Sequence, residues 1–151
     1  MSQSLSQIYL HIIFHVKSTS PKIREDHLER VHSYIGQLVN ATGNKVLRVG
    51  GIEDHVHVVC TLSRDGMVSH LIEEMKRNSS RWIKSLDPHY ALFAWQGGYA
   101  VYSVSQSVLN DTIKYVSNQR EHHMKVSFKD EYIKFLKLYN IEYDERYVFS
   151  D

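Results

Sequence analysis

The chain has 151 residues, 42% hydrophobic and 23% charged, with seven glycines and two prolines. This composition excludes a disordered or low-complexity chain and suits one globular domain rather than two. A formal net charge of +1 gives no whole-chain signal of nucleic-acid binding, so any such surface must come from local clustering. The one cysteine, Cys60, rules out an intrachain disulfide and a multi-cysteine zinc site. With no signal-peptide pattern and no apolar run near the roughly 20 residues of a bilayer span, the expectation is a cytoplasmic protein without a membrane partner.

Along residues 8–16 the chain alternates, with Ile8, Leu10, Ile12, Phe14 and Val16 on one side and Tyr9, His11, Ile13 and His15 on the other. That is the pattern of a half-buried first strand. Leu28, Val31, Ile35, Leu38 and Val39 then recur at helical spacing, with Gly43 where a helix should stop. Residues 45–52 and 55–62 read as two antiparallel strands joined tightly at Glu53-Asp54. Val68, Leu71, Ile72, Met75, Trp82 and Ile83 mark a second amphipathic helix, ended by Asp87-Pro88. A short aromatic and β-branched strand follows at 99–104.

The order β-α-β-β-α-β predicts an α+β fold, the ferredoxin-like split βαβ with an antiparallel sheet and two helices over one face. Further helices are expected at about 107–123 and 129–139, then an irregular tail through Tyr147-Val148-Phe149. The whole chain, 1–151, is expected to form one domain: a core of about 5–104, and C-terminal helices and tail of about 106–151.

Strand alternation puts His55 and His57 on one face, expected to be exposed, with Val56, Val58 and Cys60 turned to the core. Their Cα atoms are roughly 6.6 Å apart on an extended strand, near enough to share an ion. The pair alone leaves the choice open between a metal site and two surface histidines, given ten histidines in the chain. In the third helix Tyr115 and Gln119 stand four residues apart and share a face. A phenol with a pKa near 10 attacks phosphorus poorly unless a cation polarises the phosphate, and a glutamine oxygen suits a hard cation. On residues alone, Tyr115 is one tyrosine among ten.

In order along the chain, Tyr9-Leu10-His11-Ile12-Ile13-Phe14, Gly50-Gly51-Ile52-Glu53-Asp54-His55-Val56-His57, Ser79-Ser80-Arg81-Trp82-Ile83, Phe93-Ala94-Trp95-Gln96-Gly97-Gly98-Tyr99, Tyr102-Ser103-Val104-Ser105 and Tyr115-Val116-Ser117-Asn118-Gln119-Arg120-Glu121-His122-His123 resemble the TnpA-type single-tyrosine HUH transposases, close to the REP-associated tyrosine transposases. The resemblance implies a metal-dependent DNA strand transferase. Tyr115 would be the nucleophile, and His55, His57 and Gln119 would hold a divalent ion, Mg²⁺ or Mn²⁺, with no nucleotide cofactor. It implies cleavage of single-stranded DNA beside hairpins or palindromic repeats, leaving a 5′-phosphotyrosine and a free 3′ hydroxyl. It further implies a homodimer in which one subunit's tyrosine helix can complete the other's site.

Lys76, Arg77, Arg81 and Lys84 form a local basic cluster on the second helix and are the candidate phosphate contacts. Trp95, Tyr99 and Tyr102 are candidates for stacking on unpaired bases. Glu53 and Asp54 are read as shaping a turn, His11 and His15 as exposed, and His122-His123 carry no assigned chemistry. Three alternatives stay open: a domesticated processor of palindromic repeats, a hairpin binder that has lost catalysis, and a phosphodiesterase using water in place of Tyr115.

Overall fold

The computed structural model describes residues 2–150. Its elements run β1 (Tyr9–His15), α1 (Leu28–Ala41), β2 (Val46–Ile52), β3 (His55–Thr61), α2 (Val68–Leu86), β4 (Ala100–Val104), α3 (Leu109–Ser117), α4 (Gln119–His122) and α5 (Phe128–Leu138), with short 3-10 turns between. The strands form one sheet in the order β2-β3-β1-β4, with every neighbouring pair antiparallel. This is the predicted α+β split βαβ arrangement, with additional C-terminal helices.

Periodicity explains the first layer. Leu10, Ile12 and Phe14 of β1 and Val56, Val58 and Cys60 of β3 meet Val31, Ile35 and Val39 of α1 and Leu71, Ile72, Met75 and Ile83 of α2 in one apolar cluster. Full burial of such side chains contributes about 1.5–3 kcal/mol each. α1 stops where expected, since Gly43 takes φ +85°, a left-handed conformation that costs glycine no Cβ clash.

The opposite face differs from the expectation of a half-buried β1. Leu10 to His15 are all buried, because α3 to α5 cover the second face. There Ile13, Ala100 and Tyr102 pack with Tyr132 and Leu136 of α5, while Val59 and Val104 pack with Leu109 and Val116. α5 starts where Ser127 Oγ accepts from the Asp130 amide at 3.1 Å, an N-cap that the sequence supplies.

Two glycines permit close backbone approaches here, Gly50 to α3 and Gly51 to β3. A Cβ on Gly50 would stand 2.1 Å from the Val116 carbonyl oxygen, so only glycine in β2 allows α3 to lie against the sheet. Gly51 has φ +142°, and a Cβ there would meet the His55 carbonyl oxygen at 2.2 Å. The single helix expected over 107–123 is broken at Asn118 (φ −102°, ψ 26°), separating α3 from α4. Tyr115 and Gln119 therefore belong to different segments. Trp95 and Tyr102 lie in the core, with the Trp95 indole N–H donating to Ser79 Oγ at 3.0 Å, so neither is placed to stack on a base. Tyr99 is exposed.

Candidate active site

The second face carries His11, His15, His55 and His57 inward, and all four are buried, contrary to the exposed positions expected for them. The cause is the roof of α3–α5, which supplies polar partners that isolated strands lack. Gln119 and Glu131 are buried in that roof directly above the strand histidines.

Donor atoms converge here. His55 Nε2 lies 2.9 Å from Gln119 Oε1 and 3.7 Å from Glu131 Oε1. His57 Nε2 lies 2.9 Å from Glu131 Oε1. His123 Nε2 lies 2.9 Å from Gln119 Oε1 and 3.3 Å from Glu131 Oε2. One ligand atom each from His55, His57, His123 and Glu131 all fall within 4.8 Å of one another. With bonds of about 2.1 Å, neighbouring donors around a metal ion sit about 3.0–3.4 Å apart, close to the spacing these atoms already have.

The outer hydrogen bonds set which nitrogen faces inward. His55 Nδ1–H donates to Asp54 Oδ1 at 2.8 Å, and His123 Nδ1–H donates to the Val126 carbonyl at 2.7 Å. A neutral imidazole has one N–H, so both Nε2 atoms present lone pairs. The Gln119 amide nitrogen donates to the Tyr115 carbonyl at 3.3 Å, which turns Oε1 inward. With Gln119 Oε1 inward, His55 and His123 aim lone pairs at another acceptor 2.9 Å away, an arrangement that a cation, an added proton or a reversed amide reconciles. His57 can serve in either tautomer, since its Nδ1 meets His11 Nε2 at 2.8 Å and His11 can donate or accept.

Electrostatics favour neutral ligands. Burial lowers the His57 pKa to about 4 and His11 to about 3, and burial followed by the charge of His55 lowers His123. Burial would raise Glu131, yet hydrogen bonds from His57 and Tyr115 together with the histidine charges hold it below the usual carboxylate range. A carboxylate set among imidazole nitrogens is a donor set that fits a divalent cation.

Tyr115 stands at the edge of this set. Its hydroxyl donates to Glu131 Oε2 and lies 3.0 Å from His122 Nε2, and its ring centroid is 5.9 Å from that of His57 in the same chain. Burial, then the bond to and charge of Glu131, raise its pKa, so the phenol is protonated at neutral pH.

The four residues expected at the site, His55, His57, Tyr115 and Gln119, therefore meet, joined by two groups that sequence reasoning missed. Glu131 follows Asp130 in the first turn of α5, where acids commonly complement the helix dipole. Its signal was periodic: Phe128, Glu131, Tyr132 and Phe135 share one face, placing an acid inside an apolar stripe. His122 and His123 acquire roles at Tyr115 and in the donor set. Asp54 orients His55 beyond shaping a turn, and Glu53 pairs with Arg120 at 2.7 Å.

The basic cluster divides. Lys76 Nζ donates to the carbonyls of Gln96 at 2.6 Å and Gly98 at 2.9 Å, and burial lowers its pKa to about 8, so this residue clamps a loop and is not free for phosphate. Arg77 pairs with Glu74 at 2.6 Å and Glu73 at 3.9 Å. Arg81 and Lys84 are exposed and have no ion pair among the described residues. No helix among these residues is long and apolar enough to cross a membrane.

Comparison with known proteins gives a match of residues 4–119 to the family described as "Transposase IS200 like". Among solved structures, the chain is similar to a Deinococcus radiodurans R1 protein described as a "putative transposase", at 17% identity, covering 79% of this chain and 98% of that one with a TM-score of 0.60. It is also similar to a REP-associated tyrosine transposase bound to a REP hairpin, at 13% identity, 83% and 76% coverage and a TM-score of 0.57. At these identities the likeness is one of fold. No curated protein matches the sequence significantly. His122, His123 and Glu131 lie beyond the matched residues.

Proposed function

The chain belongs to the IS200-like transposase family, and from that premise we propose that it cleaves and rejoins single-stranded DNA beside hairpins by transesterification at Tyr115. A divalent ion, Mg²⁺ or Mn²⁺, would be held by His55, His57 and Gln119, with His123 and Glu131 available to the same ion. The observation that carries this reading is the convergence of inward lone pairs beside the Tyr115 hydroxyl. The hairpin in the complex of the structurally similar REP-associated transposase supports the choice of DNA partner.

In the proposed reaction Tyr115 Oη attacks phosphorus, the bond from phosphorus to the 3′ oxygen breaks, and the 5′ phosphate stays on the tyrosine. The phenolic proton leaves toward Glu131, the acceptor already at Oη, and the departing 3′ oxygen takes up a proton from water to become a hydroxyl. When bound, the ion would neutralise charge on the phosphate oxygens and polarise phosphorus. Rejoining is the reverse attack by a 3′ hydroxyl, so bond energy is conserved and no nucleotide is consumed. Because Tyr115 meets the histidines of its own chain, the tyrosine acts in cis in this proposal, whatever the oligomeric state. Arg81 and Lys84 are retained as phosphate contacts, and Lys76 is not.

The test is incubation of wild type and Tyr115→Phe with labelled hairpin-bearing single-stranded DNA and Mg²⁺ or Mn²⁺, followed by denaturing electrophoresis. A covalent adduct from wild type alone is the expected result. Cleavage by both proteins without an adduct would move the reaction to a water nucleophile, and binding without cleavage by either would leave a hairpin-binding protein.

A further inference from the structure

Two pockets formed by the C-terminal helices share Tyr115, His122 and Val126 in their linings. One, of about 240 Å³, has apolar walls from Val126, Phe135 and Leu138 and is also lined by Glu131 and Lys134. The other, of about 370 Å³, is further lined by Asn118, Glu121 and Lys125. From this geometry we propose that the first pocket receives the base of a nucleotide flanking the phosphate that Tyr115 attacks. The proposal rests on the assignment of Tyr115 as nucleophile and names what its substrate does next to it.

A strand with phosphorus at Tyr115 Oη must place a nucleotide beside that hydroxyl, and Tyr115 lines both pockets. The first lies below the roughly 300 Å³ at which sites for drug-sized ligands begin, a size for one planar base and not a whole nucleotide. Phe135 gives it a firm aromatic wall, because Tyr102 stacks on Phe135 at 5.4 Å between ring centroids. Each pocket carries one lysine and one glutamate, Lys134 with Glu131 in the first and Lys125 with Glu121 in the second, so charge does not divide them; Phe135 and Leu138 line the first alone, which assigns the base there, with Lys134 available to the adjoining phosphate. Phe135 offers a π-face to any base, so stacking on it requires that a base be present and does not depend on which base it is.

The experiment measures binding by Tyr115→Phe protein in Mg²⁺, using fluorescence anisotropy with two labelled probes, an oligothymidylate and an abasic oligomer with the same number of phosphates. The expected result is about tenfold tighter binding of the thymidylate. Adding Val126→Phe, which fills the pocket, removes that preference. Leu138→Trp does the same from an exposed position that does not put folding at risk. Lys134→Ala weakens both probes alike and lowers the salt dependence by about one counterion. No base preference, or a preference that survives both filling substitutions, overturns the proposal. The adduct formed by wild type reports separately on Tyr115: loss of preference on filling with no adduct keeps the pocket and discards the nucleophile, and an adduct with unchanged preference does the reverse.

Discussion

Beneath α1 and α2, Ile12, Phe14, Val56 and Val58 are fully buried among apolar neighbours. One residue away on the same strands, His11, His55 and His57 are buried just as deeply under α3–α5, among Gln119, His123 and Glu131. The first face closes by area removed from water, which is non-directional and tolerant of which apolar residue supplies it. The second closes only if each buried donor meets an acceptor, and its converging lone pairs could hold a cation. Deep burial on the two sides of one sheet thus serves different ends, cohesion on one and a poised arrangement of ligands on the other.

The largest separation between the faces should appear on truncation. Phe14→Ala empties a site packed edge-on against Trp95 at 4.8 Å between ring centroids and should cost about 3–5 kcal/mol in chemical denaturation. An intact stability would erase the distinction from the apolar side. On the polar face, Asp54→Asn should leave the unfolding midpoint nearly unchanged, yet weaken divalent-ion affinity by about 10–100-fold in calorimetric titration, because it loosens the tautomer of His55.

A pH series sharpens the contrast further. Burial lowers His32 of α1 to about 4, and its Nε2 has no hydrogen-bond partner. The folded value lies below the unfolded value of about 6.5, so the unfolded chain binds the extra proton and stability falls as pH drops from 6.5 toward 4. In thermal melts with chelator, His32→Leu should show a shallower fall across that window than wild type. The smallest effects belong to the solvated side of α2. Arg81→Ala and Lys84→Ala should each change stability by less than about 0.5 kcal/mol while lowering the salt dependence of DNA binding by about one counterion.

The two faces were also unequally legible. The alternation of residues 8–16 and the helical spacing from Leu28 to Val39 are local signals, and both elements formed where expected. His55 and His57 were legible for the same reason, being two residues apart on a strand, and Tyr115 with Gln119 through their short spacing and a family resemblance. Glu131 lies 74 residues from the His57 it contacts and looked like an ordinary helix-start acid, so only the fold reveals it. The break at Asn118 was hidden because nothing between Ser107 and His123 is a glycine or proline. The charges of α2 were read as one patch because sequence shows proximity but not commitment; Lys76 is used by two loop carbonyls and Arg77 by two glutamates.

The central claim is that the buried polar face is a cation site beside Tyr115, and titration of the DNA-free protein with Mn²⁺, read by the loss of the free-ion signal in electron paramagnetic resonance, tests it most directly. The account predicts one ion bound per chain by wild type and by Tyr115→Phe, and none by the His55→Ala, His57→Ala double variant. Equal binding by all three, or no binding by a folded wild type, would contradict it.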